Sequence, residues 1–241
     1  VLRMSAGDLN AWVALIGFVL GICTGVIALR KGYTLGKNQE TTIMSGFIAP
    51  FILVTIFILG VATNLLFKSE SGPGSLHAPI LLALIGGLIF GVIAQRSRMC
   101  FGGAIRDSIM IKNFDKLLII VGLFIVMLIY NIASGNFYIG FKDQPIAHTE
   151  WLWNIFGMYV VGLGAVLAGG CPLRQLILTG QGSSDGAITV LGMFAGGALA
   201  HNLNLASSDA GTTLNGRVAV LICIALLLVI AFLNRRKEVN A

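Results

Sequence analysis

Charge is what this sequence has least of. Asp, Glu, Lys and Arg make up only 11% of its 241 residues, against about 25% in soluble domains. That deficit argues against a water-soluble fold. The four cysteines, Cys23, Cys100, Cys171 and Cys223, are scattered singly with no CxxC pair, which argues against zinc or iron–sulfur ligation. None lies in a long polar loop, which argues against an extracellular disulfide framework. The start, "VLRMSAGDLNAW", places Asp8 and Asn10 ahead of the apolar run and has no cleavage site after it, so it does not read as a signal peptide. It begins with Val, and an upstream segment is expected. A basic stripe interleaved with aromatics is absent too, so the net charge of +6 and pI near 9.4 do not point to nucleic acid.

Apolar residues are plentiful, at 56% with a mean hydropathy of +0.91. Seven runs approach the roughly 20 residues a membrane-spanning helix needs: about Ala11–Leu29, Ile43–Leu66, Ala78–Ala94, Leu117–Ser134, Trp151–Gly169, Ala187–His201 and Val218–Leu233. The third and sixth are short and glycine-rich. Short connections predict one all-α transmembrane domain over residues 1–241. With the C-terminus cytoplasmic, Arg30, Lys31, Lys37, Arg96, Arg98, Arg106, Lys112, Lys116, Arg174, Arg235, Arg236 and Lys237 share one side, twelve of the sixteen basic residues. Arg3, Lys68, Lys142 and Arg217 take the other. Basic residues favour the inner side, so this split predicts N-out, C-in. Trp12, Trp151 and Trp153 then fall near the outer ends of spans.

Two segments echo each other. "GGLIFGVIAQRSRMCFGGAIRDSIM" from Gly86 and "GLGAVLAGGCPLRQLILTGQGSSDG" from Gly162 each run a glycine-rich apolar helix into a Cys, then small or apolar residues, then an Arg. A weaker third echo, "GFVLGICTGVIALRKGYTLGKNQ" from Gly17, has no Cys in its turn. All three end on one side, as parallel repeats do and inverted ones do not. The segments after Cys100 and Cys171 are too short to span, which predicts broken or re-entrant helices there.

In the second segment Pro172 suits the first turn of a short helix, where its missing N–H costs nothing. Cys171 then stands near the N-cap, where free N–H groups and the positive end of the helix dipole favour an anion. Arg174 follows one turn on, Gln175 adds an amide, and Gly169 and Gly170 give backbone access. The structural alternative is a Gly/Pro helix break with Arg174 snorkelling to the interface. In the first segment Arg96 and Arg98 read as inner-side charge. Arg106 follows the apolar "FGGAI" with Gly102 and Gly103, so it needs a cavity or a partner inside the membrane. Asp107, adjacent on a helix, is not expected to pair with it. Two thiols are too few for zinc and sufficient for Cu(I). A small soft oxyanion also suits thiols, N–H groups and nearby arginines.

Elsewhere, Cys23 and Cys223 lie mid-span and read as small packing residues. His77 and His148 read as solvated loop residues. His201, Asn202 and Asn204 form a polar cluster at a helix end, or a contact at the outer mouth. Asn64 and Asn131 need no special role. Ser183, Ser184 and Asp185 read as an N-cap run.

At "SRMCFGGAIRD" and "GCPLRQLILTGQGSSDGAITVLGM" the chain resembles the YeeE/YedE family of inner-membrane proteins, and it is especially similar to the YedE-like branch associated with selenium metabolism. "RKGYTLGKNQ" is similar to that family's repeat without cysteine. The resemblance runs from about Gly17 to Ala200. It implies short re-entrant helices that meet mid-membrane, and uptake of a small sulfur species, thiosulfate in the best understood branch, through cysteines at positions matching Cys100 and Cys171. A third cysteine used by that branch has no matching motif here. The resemblance also implies a cytoplasmic sulfurtransferase partner of the TusA type. The expected function is a permease importing a sulfur- or selenium-containing anion, with no cofactor. Its substrate path comprises Cys100, Cys171, Arg106, Arg174, Gln175, Gly102, Gly103, Gly169 and Gly170. The alternatives are a membrane sulfurtransferase with a persulfide on Cys171, and a structural membrane subunit.

Overall fold

The computed structural model describes residues 1–36, 41–63, 78–142, 144–145 and 147–235. Asn64, His77, Lys37, Lys68, Arg236 and Lys237 lie outside them. The described residues form eleven helices: α1 (Leu2–Ser5), α2 (Leu9–Arg30), α3 (Ile43–Gly46), α4 (Ile48–Ala62), α5 (Ile80–Arg96), α6 (Phe101–Met110), α7 (Asp115–Ala133), α8 (Trp151–Leu167), α9 (Pro172–Gly180), α10 (Ser184–Asn202) and α11 (Leu214–Leu233). Three isolated bridges are the sole β-type pairings among them. The protein is an all-α membrane protein.

Among the described residues, six segments are long and apolar enough to cross a bilayer: Leu9–Arg30, Met44–Ala62, Ile80–Met110, Asp115–Ala133, Trp151–Gly180 and Leu214–Leu233. They correspond to six of the seven expected runs. The remaining one became α10, 19 residues long, which Ser184 and Asp185 at its start and His201 and Asn202 at its end make less apolar than the six. Helix α4 buries none of its residues, and α5 buries Ala94 alone. Helices apolar on every face and still exposed need lipid, not water, around them.

The chain divides into two compact units. One is drawn from Val1–Gly36, Met99–Cys171 and Phe194–Ala241, the other from Lys37–Arg98 and Pro172–Met193. The first is built on the crossing of α2 and α8. Gly17, Gly21 and Gly25 fall four residues apart on one face of α2 and lie against Ile155, Tyr159 and Val166 of α8, while Gly162 of α8 lies under the Phe18 carbonyl. A Cβ at Gly17, Gly21 or Gly162 would collide with a backbone carbonyl oxygen. Small residues at this spacing let two backbones approach, and lipid-embedded helices gain most from such close packing. Phe18, Ile22, Val26, Leu163, Val166 and Leu167 complete this core. Tyr33, buried beyond the end of α2, donates to the Leu167 carbonyl at 3.2 Å.

The polar N-terminal segment is bonded throughout. Asp8 caps α2 by accepting from the Asn10 N–H at 2.9 Å and holds Arg3 at 3.3 Å. Arg3 donates to Gln144 at 2.6 Å. Asn10 donates to the Phe141 carbonyl and accepts from the Trp151 indole. Asn131, expected to be unremarkable, is buried and donates to Ser5 at 2.9 Å. His148, expected in solvent, is also buried, with its Nδ1 accepting from the Glu150 N–H at 3.3 Å. Cys223, expected to pack, is exposed on α11, and Cys23 is half-buried.

In the second unit α9 packs against α4 and α5. Ser183 accepts from the Gly186 N–H at 3.3 Å, so the anticipated cap opens α10. Thr41 donates to the Gly182 carbonyl at 2.8 Å, and Gly182, at φ +86°, lies against Gly46.

Candidate functional site

The two Cys-bearing segments are broken helices, as their sequences predict. Helix α5 ends at Arg96, and Arg98 turns the chain at φ 52°. Cys100 then takes an extended conformation (φ −155°, ψ 114°) and caps α6. Its Sγ accepts from the Gly103 N–H at 3.2 Å. A thiol here satisfies a donor that serine or aspartate would ordinarily serve. Helix α8 ends at Leu167, Gly169 reverses the chain at φ +78°, and Pro172 opens α9. The space around Gly169 is open, so glycine is required there by backbone conformation and not by close approach.

Packing of α6 against α8 in the first unit brings the two cysteines together. The Cys171 N–H lies 3.4 Å from the Cys100 sulfur. Both are unbridged and almost fully buried, at 5% and 3% exposure. Gly102 makes the approach possible: a Cβ on it would stand 3.3 Å from the Ala165 Cβ and 3.9 Å from the Cys171 Cβ. On Gly103 a Cβ would meet the Cys100 Sγ at 3.1 Å and the Arg106 guanidinium at 3.9 Å. Cys100, Cys171, Gly102, Gly103 and Arg106 therefore form one cluster. No group of three or more His, Cys, Asp or Glu that could hold a metal occurs among the described residues.

Arg106 departs from expectation. Its Nε donates to Asp107 at 2.8 Å, and Lys116 donates to the other carboxylate oxygen at 2.6 Å. Adjacent side chains diverge at their Cβ atoms, but the Arg stem is long enough to fold back. Asp107 thus ties α6 to the start of α7. Arg30 reaches the far end of α6, donating to the Ile109 carbonyl at 3.3 Å, a cation at a helix C-terminus. On α9, in the second unit, Gln175 and Thr179 are buried, Arg174 is half-buried, and the Thr179 hydroxyl donates to the Gln175 carbonyl at 2.9 Å. Gly170 is buried in the turn before Cys171.

A second polar cluster surrounds a cavity of about 190 Å³ in the first unit, lined by His148, Trp153, Asn154, Thr212 and Arg217 among others. Arg217 donates to Glu150 at 2.8 Å and to the Thr212 hydroxyl at 2.7 Å, and lies over the Trp153 ring at 5.4 Å. Glu150 also accepts from the Thr212 hydroxyl and, at 3.1 Å, from its N–H. The Thr212 hydroxyl, followed by its N–H and the Arg217 charge, holds the Glu150 carboxyl below the usual carboxylate range. No local feature of either segment signals this pairing across 67 residues. The close packing of α2 has a sign, the four-residue spacing of Gly17, Gly21 and Gly25, but that spacing does not name α8 as the partner.

A sequence model for sulphur transport matches residues 96–240, which takes in both Cys100 and Cys171. The chain belongs to the sulphur transport family. It is 34% identical over 104 residues to the thiosulfate transporter TsuA of Spirochaeta thermophila, covering 43% of this chain and 31% of that protein. It is 35% identical over 106 residues to TsuA of Escherichia coli, covering 43% and 29%. An H(+)/Cl(-) exchange transporter, ClcA of Klebsiella pneumoniae, is 33% identical over 95 residues, covering 38% and 20%. Each alignment therefore spans less than a third of the relative's own length. No solved structure matches.

Proposed function

We propose that this sulphur transport family member is a permease that moves a small sulfur-containing oxyanion, of the thiosulfate kind, inward across the inner membrane. The observation that carries the reading is the pair of buried thiols in contact where two helices break. A thiol donates a weak hydrogen bond and accepts one weakly. A soft anion handed between such groups is bound well enough to enter and loosely enough to leave, the balance a conducting path requires. Cys100 and Cys171 are the thiol donors in this reading. Gly102, Gly103, Gly169 and Gly170 give backbone access. Arg106 and Arg174 supply positive potential, and Gln175 an amide. The Asp107–Arg106 pair tempers that potential at the first arginine, a useful limit where tight anion binding would stall release. The orientation is N-out, C-in, and the imported sulfur passes to a TusA-like cytoplasmic sulfurtransferase.

Labelled thiosulfate uptake into vesicles holding the full chain tests the reading. Cys171→Ala is expected to abolish uptake while the protein still inserts, and full uptake by that variant overturns the assignment. A labelled selenium analogue in the same assay separates the two substrate chemistries. A transporter of intact anion leaves Cys171 without a persulfide after exposure to substrate, so a stable persulfide by mass spectrometry moves the reading to a sulfurtransferase.

A further inference from the structure

Cys100 and Cys171 lie 71 residues apart in sequence and touch in the fold. Both are unbridged and buried, and the Cys171 N–H stands 3.4 Å from the Cys100 sulfur. A disulfide needs two Cβ atoms about 3.5–4.5 Å apart, and a Cys100 sulfur already against the Cys171 backbone needs only a local adjustment to meet its side chain. The Cys100 sulfur also faces a second donor, the Gly103 N–H at 3.2 Å. Two N–H groups thus point at one sulfur and hold it beside Cys171. The remaining cysteines sit on other helices, Cys23 on α2 and Cys223 exposed on α11.

We propose that this pair is a modification site, oxidised by a polythionate to a Cys100–Cys171 disulfide and restored by a thiol reductant. The inference rests on the path reading above, because the oxidant must reach two buried sulfurs. A polythionate is a sulfur oxyanion of the same kind as the proposed cargo, with an internal S–S bond. With tetrathionate, Cys100 loses a proton and its sulfur attacks an inner sulfur of the oxidant. That S–S bond breaks, one thiosulfate leaves, and Cys100 carries an S-sulfonate on an added sulfur. Cys171 loses its proton and attacks the Cys100 sulfur, and a second thiosulfate leaves. Two thiols lose two electrons and two protons, and one tetrathionate becomes two thiosulfates. The product has no thiol proton left to donate along the path, so transport stops. The chemistry links the accumulation of an oxidised form of the cargo to closure of its own route.

The test uses the full chain in proteoliposomes, with Cys223→Ser as the background because that exposed thiol can react between molecules. Samples are treated with tetrathionate, alkylated and digested, and the Cys100–Cys171 linked peptide is measured alongside released thiosulfate and labelled uptake. The expected result is the linked peptide, two thiosulfates released per link, and loss of uptake that a phosphine reductant restores. Uptake that persists while both cysteines stay open to alkylation after denaturation overturns the proposal and leaves the transport reading standing. A linked peptide in a protein that never takes up thiosulfate supports the modification site and removes the transport reading. Cys171→Ser in the same background must yield no link, and a link in that variant overturns the assignment to this pair.

Discussion

Glu150 shows what one carboxylate does at the rim of a membrane domain. It gathers the Thr212 hydroxyl and N–H and the Arg217 guanidinium. Its folded-state pKa lies below the ordinary value, so the stability it contributes is present above the unfolded carboxylate range. That contribution is lost as pH falls through the lowered folded value. The melting temperature of the detergent-solubilised protein should therefore drop on acidification in that range. Glu150→Gln should melt lower than wild type near neutrality and show a flatter acid limb. An acid limb unchanged by the substitution would remove Glu150 from this account. Gly102 is the corresponding position at the cysteine pair. Gly102→Val would push methyl groups toward Ala165 and Cys171, an overpacking that costs about 1–3 kcal/mol. It should lower the melting temperature and separate the thiols, read as faster alkylation of Cys171.

At the scale of elements, the helices and their breaks were legible, and their partners were not. Runs of apolar residues gave the six spans, and the Cys and Pro in "GGCPLRQ" gave the α8–α9 break, because both signals are local. The pairing of α2 with α8 joins Gly21 to Tyr159 across the whole middle of the chain, and nothing in either segment names the other. Asn131 and Ser5 were missed for the same reason: each is an ordinary polar residue until the fold closes on it. Asp107 was misjudged because a rule about Cβ directions ignores the reach of an Arg stem. The crossing yields its own prediction. Gly21→Leu drives a side chain into the Tyr159 carbonyl and should abolish recovery of monodisperse protein. Gly122→Ala on α7, where the added methyl meets open space, should leave recovery and melting unchanged. Equal behaviour of the two variants would show that the crossing is not what holds the first unit together.

For the whole molecule, the property to test is which face looks inward. Basic residues beside the spans predict it, and the polar clasp of Arg3, Asp8 and Gln144 would then face outward with the Glu150–Arg217 cluster. A membrane-impermeant thiol reagent should reach a cysteine placed at Lys142 from the outside of intact cells. One placed at Arg235 should react only after the membrane is opened. The reverse pattern would invert the topology and with it the direction assigned to transport. A chain whose spans present apolar side chains on nearly every exposed face has little surface on which to display specificity, and that is why the proposed path runs through the few turns where helices stop.

The capping role of Cys100 gives a chemist a means of telling architecture from selectivity. Oxygen is the firmer acceptor, so Cys100→Ser ought to start α6 at least as securely as sulfur does. It would also leave a harder, less polarisable atom at the same spot. Should that exchange yield a well-behaved protein that no longer moves its cargo, softness rather than shape is what the position supplies.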